Sequence, residues 1–273
     1  MINKTSETLS PVLYLPHGGG PLPLLGDERH AELVNFLKEI ATRISEPSAI
    51  LVISAHWEAE QPTITSGSHP ELIYDYFGFP AESYEIQYPA PGNPPLAHEV
   101  LELIQRSGVS AILDDRRGFD HGLFVPLKLM YPNANIPCIQ LSLLNHLDPL
   151  QHIAMGKSLA ALRKNNVLII GSGMSFHNMR AFFSSDTNSN KESELFNDWL
   201  IETCASQTIP TEEREQRLIE WEKAPSARFC HSREEHLLPL HVCFGIACAE
   251  TPIAEVVFNQ GVMGKRVAGL LWK

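Results

Sequence analysis

The sequence predicts an α/β fold with its strands gathered in one open sheet, and three observations predict it. Continuous apolar runs of strand length recur at 12–15, 49–53 and 167–170, the pattern of strands buried on both faces. Amphipathic stretches of helix length alternate with them, as at 27–44, 94–106 and 149–163. Each of the three apolar runs also ends in a turn that carries a histidine: Pro16-His17-Gly18-Gly19-Gly20, Ser54-Ala55-His56-Trp57-Glu58, and Gly171-Ser172-Gly173 leading to Phe176-His177-Asn178. Open α/β sheets bind their ligands outside the carboxyl ends of the strands. A single loop histidine is most often a solvated or capping residue. Three at equivalent strand ends would converge on one crevice, which points to a mononuclear metal site.

Taken in order, the first strand runs into three glycines, which let the backbone turn sharply and approach a bound group. Asp27 is placed to cap the helix 27–44, in which Leu33, Phe36, Leu37, Ile40 and Ala41 recur at helical spacing. With the strand 49–53 this makes a strand-helix-strand unit, expected to be a parallel pair with a right-handed crossover. The stretch 61–91 is rich in Pro, Gly, Tyr and Phe and holds Tyr74-Asp75-Tyr76-Phe77-Gly78-Phe79-Pro80. A loop of this length is either functional or a surface excursion packed by its own aromatics. A helix over 94–106 and a short strand over 109–113 follow, then Asp120-His121-Gly122 at a helix start, where Asp120 is the expected cap.

The remaining elements are a strand over 137–143, a helix over 149–163, a polar exposed loop over 186–191, and helices over 192–207 and 211–223 with Trp199 and Trp221 inward. Next comes Glu234-Glu235-His236, ahead of an apolar helix over 242–249 in which Pro239 is tolerable only in the first turn. The last strand is expected over 266–272. No linker or internal repeat divides the chain, so residues 1–273 read as a single catalytic domain.

Composition narrows the function. The 273 residues carry a formal net charge of −11, against a nucleic-acid or anionic-membrane partner, and no apolar run approaches a membrane span. The segment 1–11 is polar, so export is not expected. Five cysteines without CxxC spacing fit free thiols in the cytoplasm. His17-Gly18-Gly19-Gly20 suggests the oxyanion loop of esterases, but no Gly-x-Ser-x-Gly elbow is present to supply their nucleophile. Phosphate-binding and dinucleotide glycine motifs are missing too. Neutral imidazoles at strand ends suit a catalytic metal, with His17 and His56 the natural first pair. For the third ligand, 234–236 offers both carboxylate and imidazole at a helix start, of which one should face the metal. His231 and His241 read as core histidines.

Taken together, six motifs make the chain resemble the class III extradiol ring-cleavage dioxygenases, in the branch related to DOPA 4,5-dioxygenase. They are Pro16–Gly20, Ser54–Glu58, Tyr74–Pro80, Asp120–Gly122, Gly171–Gly173 with His177-Asn178, and Glu234–Leu240, in the family's order along most of the chain. The resemblance implies a three-layer αβα sandwich around a mostly parallel, mixed sheet. It implies a non-haem Fe(II) enzyme, with Zn(II) possible in the same site, acting on a catechol and dioxygen with ring opening. Carried onto this sequence, His17, His56 and His236 are the metal ligands. His177 is the acid/base that takes a phenolic proton, or a fourth ligand when zinc fills the site. His121 lies near the substrate and the oxygen pocket. Tyr74, Tyr76 and Phe77 are candidates, from composition, to wall the aromatic substrate. Two other classes stay open: a non-catalytic metal-binding relative on the same fold, and a zinc-dependent hydrolase. Oligomeric state is not legible.

Overall fold

A computed structural model describes residues 9–182 and 188–273. The chain runs β1 (Val12–Pro16), α1 (Ala31–Arg43), β2 (Ala49–Ala59), β3 (Thr63–Thr65), α2 (Pro94–Arg106), β4 (Ile112–Asp114), α3 (His121–Met130), β5 (Cys138–Leu144) and α4 (Pro149–Ser158). It continues with β6 (Val167–Gly173), α5 (Met179–Phe182), α6 (Asn188–Ala205), α7 (Thr211–Ile219), α8 (Ala227–Cys230), α9 (Leu238–Ala247), β7 (Glu255–Val262) and β8 (Lys265–Trp272). The strands form one mixed sheet in the order β4-β3-β5-β2-β6-β1-β8-β7. Its centre is parallel: β6 pairs with both β1 and β2, and β2 with β5. β1, β5 and β6 are fully buried and β2 is buried over its first seven residues, because helices cover both faces. In β6 the alternation is explicit. Gly171 faces α9, whose Pro239 and Cys243 crowd it, while the Ser172 hydroxyl reaches the carbonyl of Gly122 in α3 on the other face. The expected α/β sandwich is the fold.

Several details differ from expectation. β1 and β2 are not neighbours, because β6 inserts between them. β7 was not foreseen; it pairs antiparallel with β8 and is half exposed, so its apolar alternation is weak. Asp27 does cap the entry to α1, through a short 3₁₀ turn. Asp120, the expected cap of α3, makes no capping bond; it binds Ser54 and Arg117 instead, and the Asp75 carboxylate accepts from the His121 N–H. Of the loop expected over 186–191, positions 186 and 187 lie outside the described residues, whereas α6 already begins at Asn188 and Ser189 is buried. Trp221 is buried as expected and Trp199 only half-buried.

The excursion 61–91 contains β3 and is indeed packed by its own aromatics. Tyr74, Tyr76 and Tyr84 meet near edge to face, and the hydroxyls of Tyr74 and Tyr76 donate to the carbonyls of Ile86 and Ser83 at 2.6 and 2.5 Å.

Three buried histidines away from the strand ends make the fold acid-sensitive. Burial holds His152 and His241 at a pKa of about 4 and His231 at about 3, below the ordinary 6.5. Between those values the unfolded chain binds the protons and the folded chain does not. Stability is therefore intact above pH 6.5 and lost as the pH falls toward 4. Each ring costs on the order of 1 kcal/mol per pH unit within that window, and all three act in the same direction. Urea unfolding at pH 7, 5.5 and 4.5 checks this. A midpoint that does not move over that range would contradict it.

Candidate metal centre

Three adjacent strands deliver the first histidines. In the order β2-β6-β1, the register sets Pro16 opposite Gly173 and Ser54 opposite Ser172, so the strand ends are level. His17 follows β1 directly. His56 lies within β2 rather than past its end, at a register irregularity between Ile53 and Glu58 that re-aims the strand. His236 arrives from the other side, in the turn before α9 rather than on the helix itself. Its carbonyl accepts from Met174 N–H at 3.0 Å and from the Tyr14 hydroxyl at 3.2 Å. Gly173 allows that approach, since a Cβ there would stand against the same carbonyl.

One donor atom from each of His17, His56 and His236 comes within 4.8 Å of the others. His17 Nε2 and His56 Nε2 stand 3.0 Å apart. The surrounding hydrogen bonds fix the tautomers of His17 and His236. The Ser172 hydroxyl donates to Gly122 O, so it accepts from His17 Nδ1–H at 3.0 Å. His56 Nδ1 faces Asp75 Oδ2 at 3.5 Å, and His236 Nδ1 donates to Glu235 Oε1 at 2.9 Å. His17 and His236 thus present an unprotonated Nε2, and His56 Nε2 lies within hydrogen-bond distance of His17 Nε2. Burial, then the neighbouring imidazoles, push the pKa of His17 and His236 well below the usual range; burial and His121 do the same for His56. Two ring nitrogens at 3.0 Å need a proton or a metal ion between them. That spacing is also what two ligands at about 2.1 Å and a right angle to one another require. The donor set fits a metal ion.

Around this triad stand two carboxylates, each serving two histidines. Asp75 Oδ1 accepts from His121 Nδ1 at 2.8 Å, while its other oxygen faces His56. Burial alone would raise the Asp75 pKa, but the His121 hydrogen bond and the two rings hold it below the ordinary value, so it stays charged. Glu235 Oε1 accepts from His177 Nδ1 at 3.1 Å as well as from His236, and its pKa is lowered, burial being outweighed chiefly by the His177 bond. The His177 ring is stacked on His236 at 3.4 Å and 14° and is not one of the three converging imidazoles. His121 packs 3.9 Å from His56, between centroids.

Of the expected substrate residues, Tyr76 and Phe77 line the cleft with the histidines and Tyr74 does not; its ring is turned into the aromatic excursion, against Phe124. His231 and His241 are buried and bonded to the backbone at Ser175 O and Leu218 O, as core residues. Asp75, Ser172 and His30 were missed. His30 accepts from Gly19 N–H at 3.1 Å and is itself held by Asp27, pinning the triple-glycine turn. The sequence signal for Asp75 is a carboxylate flanked by two tyrosines, and for His30 only a histidine at the spacing of a helix entry.

Comparison with known proteins agrees. Residues 11–270 match the family described as "Catalytic LigB subunit of aromatic ring-opening dioxygenase". A protein called "Dioxygenase tasH" from Hapsidospora irregularis is 40% identical over 92% of this chain and 82% of its own length. A "4,5-DOPA dioxygenase extradiol" from Beta vulgaris is 37% identical over 94% of this chain and 93% of its own. A solved structure of an uncharacterized protein from Escherichia coli K12 superposes with a TM-score of 0.77 at 27% identity, over 96% of this chain and 99% of that one. With strand-end imidazoles meeting in one crevice and a match along nearly its whole length, this chain belongs to the LigB family of aromatic ring-opening dioxygenases.

Proposed function

We propose that this chain is a non-haem Fe(II) extradiol dioxygenase, a single catalytic domain that inserts dioxygen into a DOPA-like catechol next to the diol and opens the ring. The product is of the hydroxymuconic semialdehyde type. The observation that carries this is the convergence of three neutral imidazoles on one centre, beside a histidine held by a carboxylate. His17, His56 and His236 would hold the ion, and Asp75, Ser172 and Glu235 fix their rings. When bound, ferrous iron supplies a Lewis acid for the diol oxygens and a redox partner for dioxygen. Zinc suits the same nitrogens but has no redox chemistry, which favours iron for this reaction.

The side chains supply the rest. His177 takes a phenolic proton at Nε2, since its Nδ1–H is donated to Glu235; that carboxylate then faces the imidazolium that forms. The stacking of His177 on His236 favours the base over the role of fourth ligand. His121, anchored by Asp75, stands at the oxygen side, and Tyr76 and Phe77 wall the ring. Among the described residues no helix is long and apolar enough to cross a membrane. The buried free cysteines suit a reducing, cytoplasmic location.

Anaerobic reconstitution with Fe(II) or Zn(II), then an oxygen electrode and a catechol panel, tests the reading. One dioxygen per catechol is expected with iron and none with zinc. Metal uptake without oxygen consumption on any catechol would make this a binding protein, and ester or amide turnover indifferent to oxygen would make it a hydrolase.

A further inference from the structure

The cleft over the histidines has a volume of about 560 Å³, within the range of pockets that enclose molecules much larger than a single ring. The cleft therefore has room for a ring substituent beside the catechol, along its wall. Beyond the histidines and glycines that wall is apolar, built from Leu22, Phe79, Met174, Met179, Phe182 and Met263. Tyr76 adds its ring but not its hydroxyl, which is turned away onto the carbonyl of Ser83. Among the described residues no carboxylate lines the cleft: Asp75 and Glu235 lie behind the imidazoles and are occupied by ring N–H groups. Among the described residues Arg29 is the one lysine or arginine in the lining, and Asp27 already matches its charge, with Nη2 2.6 Å from Oδ2 and Nε on both oxygens.

We infer that the catechol this enzyme prefers carries an uncharged, apolar ring substituent rather than the amino-acid side chain of DOPA. The inference rests on the dioxygenase reading above; it keeps the catechol ring and replaces the DOPA-like side chain given there. An α-ammonium group entering this cleft would lose water and meet no carboxylate, and an α-carboxylate would meet an arginine whose charge is already balanced. Both are penalised. An alkyl or aryl chain loses nothing of that kind. Three methionines along the wall suit it further, because their unbranched, polarizable side chains adapt to an irregular apolar shape.

The test uses the full chain with 4-methyl-, 4-ethyl- and 4-propylcatechol and with L-DOPA. Affinity is read by anaerobic titration into Zn(II)-loaded protein, and turnover by oxygen uptake of the Fe(II)-loaded protein. Each added methylene should tighten binding by roughly fourfold, and 4-propylcatechol should have a Kd about tenfold or more below that of L-DOPA and a kcat/KM about tenfold or more above it. Met179→Glu puts a carboxylate on the rim at a position already 53% exposed, and should shift the ratio toward L-DOPA. A flat alkyl series, or L-DOPA bound as tightly as 4-propylcatechol, overturns the inference. If the binding series holds while no catechol consumes oxygen, the dioxygenase reading fails and the preference of the cleft stands.

Discussion

His17→Ala and His56→Ala are expected to abolish stoichiometric metal binding while leaving the chain folded. Wild-type protein incubated with excess Fe(II) or Zn(II) should retain one ion per chain and melt at higher temperature, because a ligand that binds only the native state at 100 times its Kd adds about 2.7 kcal/mol. Either variant should lose both effects, and its oxygen uptake with a catechol should fall below detection. The loss should exceed the roughly 10- to 100-fold that a supporting residue such as Asp75 costs, since the ligand itself is removed. Without metal the ordering is different. His17 Nε2 and His56 Nε2 stand 3.0 Å apart, within reach of one shared proton, so deleting one ring costs the apo protein little beyond that single contact. The apo variants should melt close to the apo wild type. Elemental analysis and calorimetry with and without metal read both halves, and a His17→Ala protein that retains one ion per chain with an unchanged melting shift would remove the basis of the site.

The second large effect separates metal binding from proton transfer. His177→Ala should keep its metal, because that ring is not one of the three converging imidazoles, and should lose about 10²- to 10⁴-fold in kcat, the usual contribution of a positioned general base. Glu235→Gln should fall between this variant and wild type. It weakens the partner of His177 Nδ1–H, and it also loosens His236, so metal affinity drops as well. Normal oxygen uptake by His177→Ala would refute the base assignment while leaving the metal site intact.

Much of this was legible beforehand for a physical reason. A strand buried on both faces must be a continuous apolar run, and a parallel sheet needs helices between its strands. The runs at 12–15, 49–53 and 167–170 therefore announced both fold and site. The six motifs then named the family. β7 was not legible because half of it is solvated, and the order of β1, β6 and β2 was not because nothing local records which strand inserts between two others.

The sequence by itself determined the α/β class, the strand-end histidines and the chemistry that neutral imidazoles can do. Only the tertiary structure decided which histidines share a centre, that His236 rather than Glu235 turns inward, and that Asp75, from an aromatic excursion, holds both His56 and His121. Pattern and propensity are carried by neighbours along the chain, whereas a hydrogen bond between residues 46 positions apart exists only once the chain has folded.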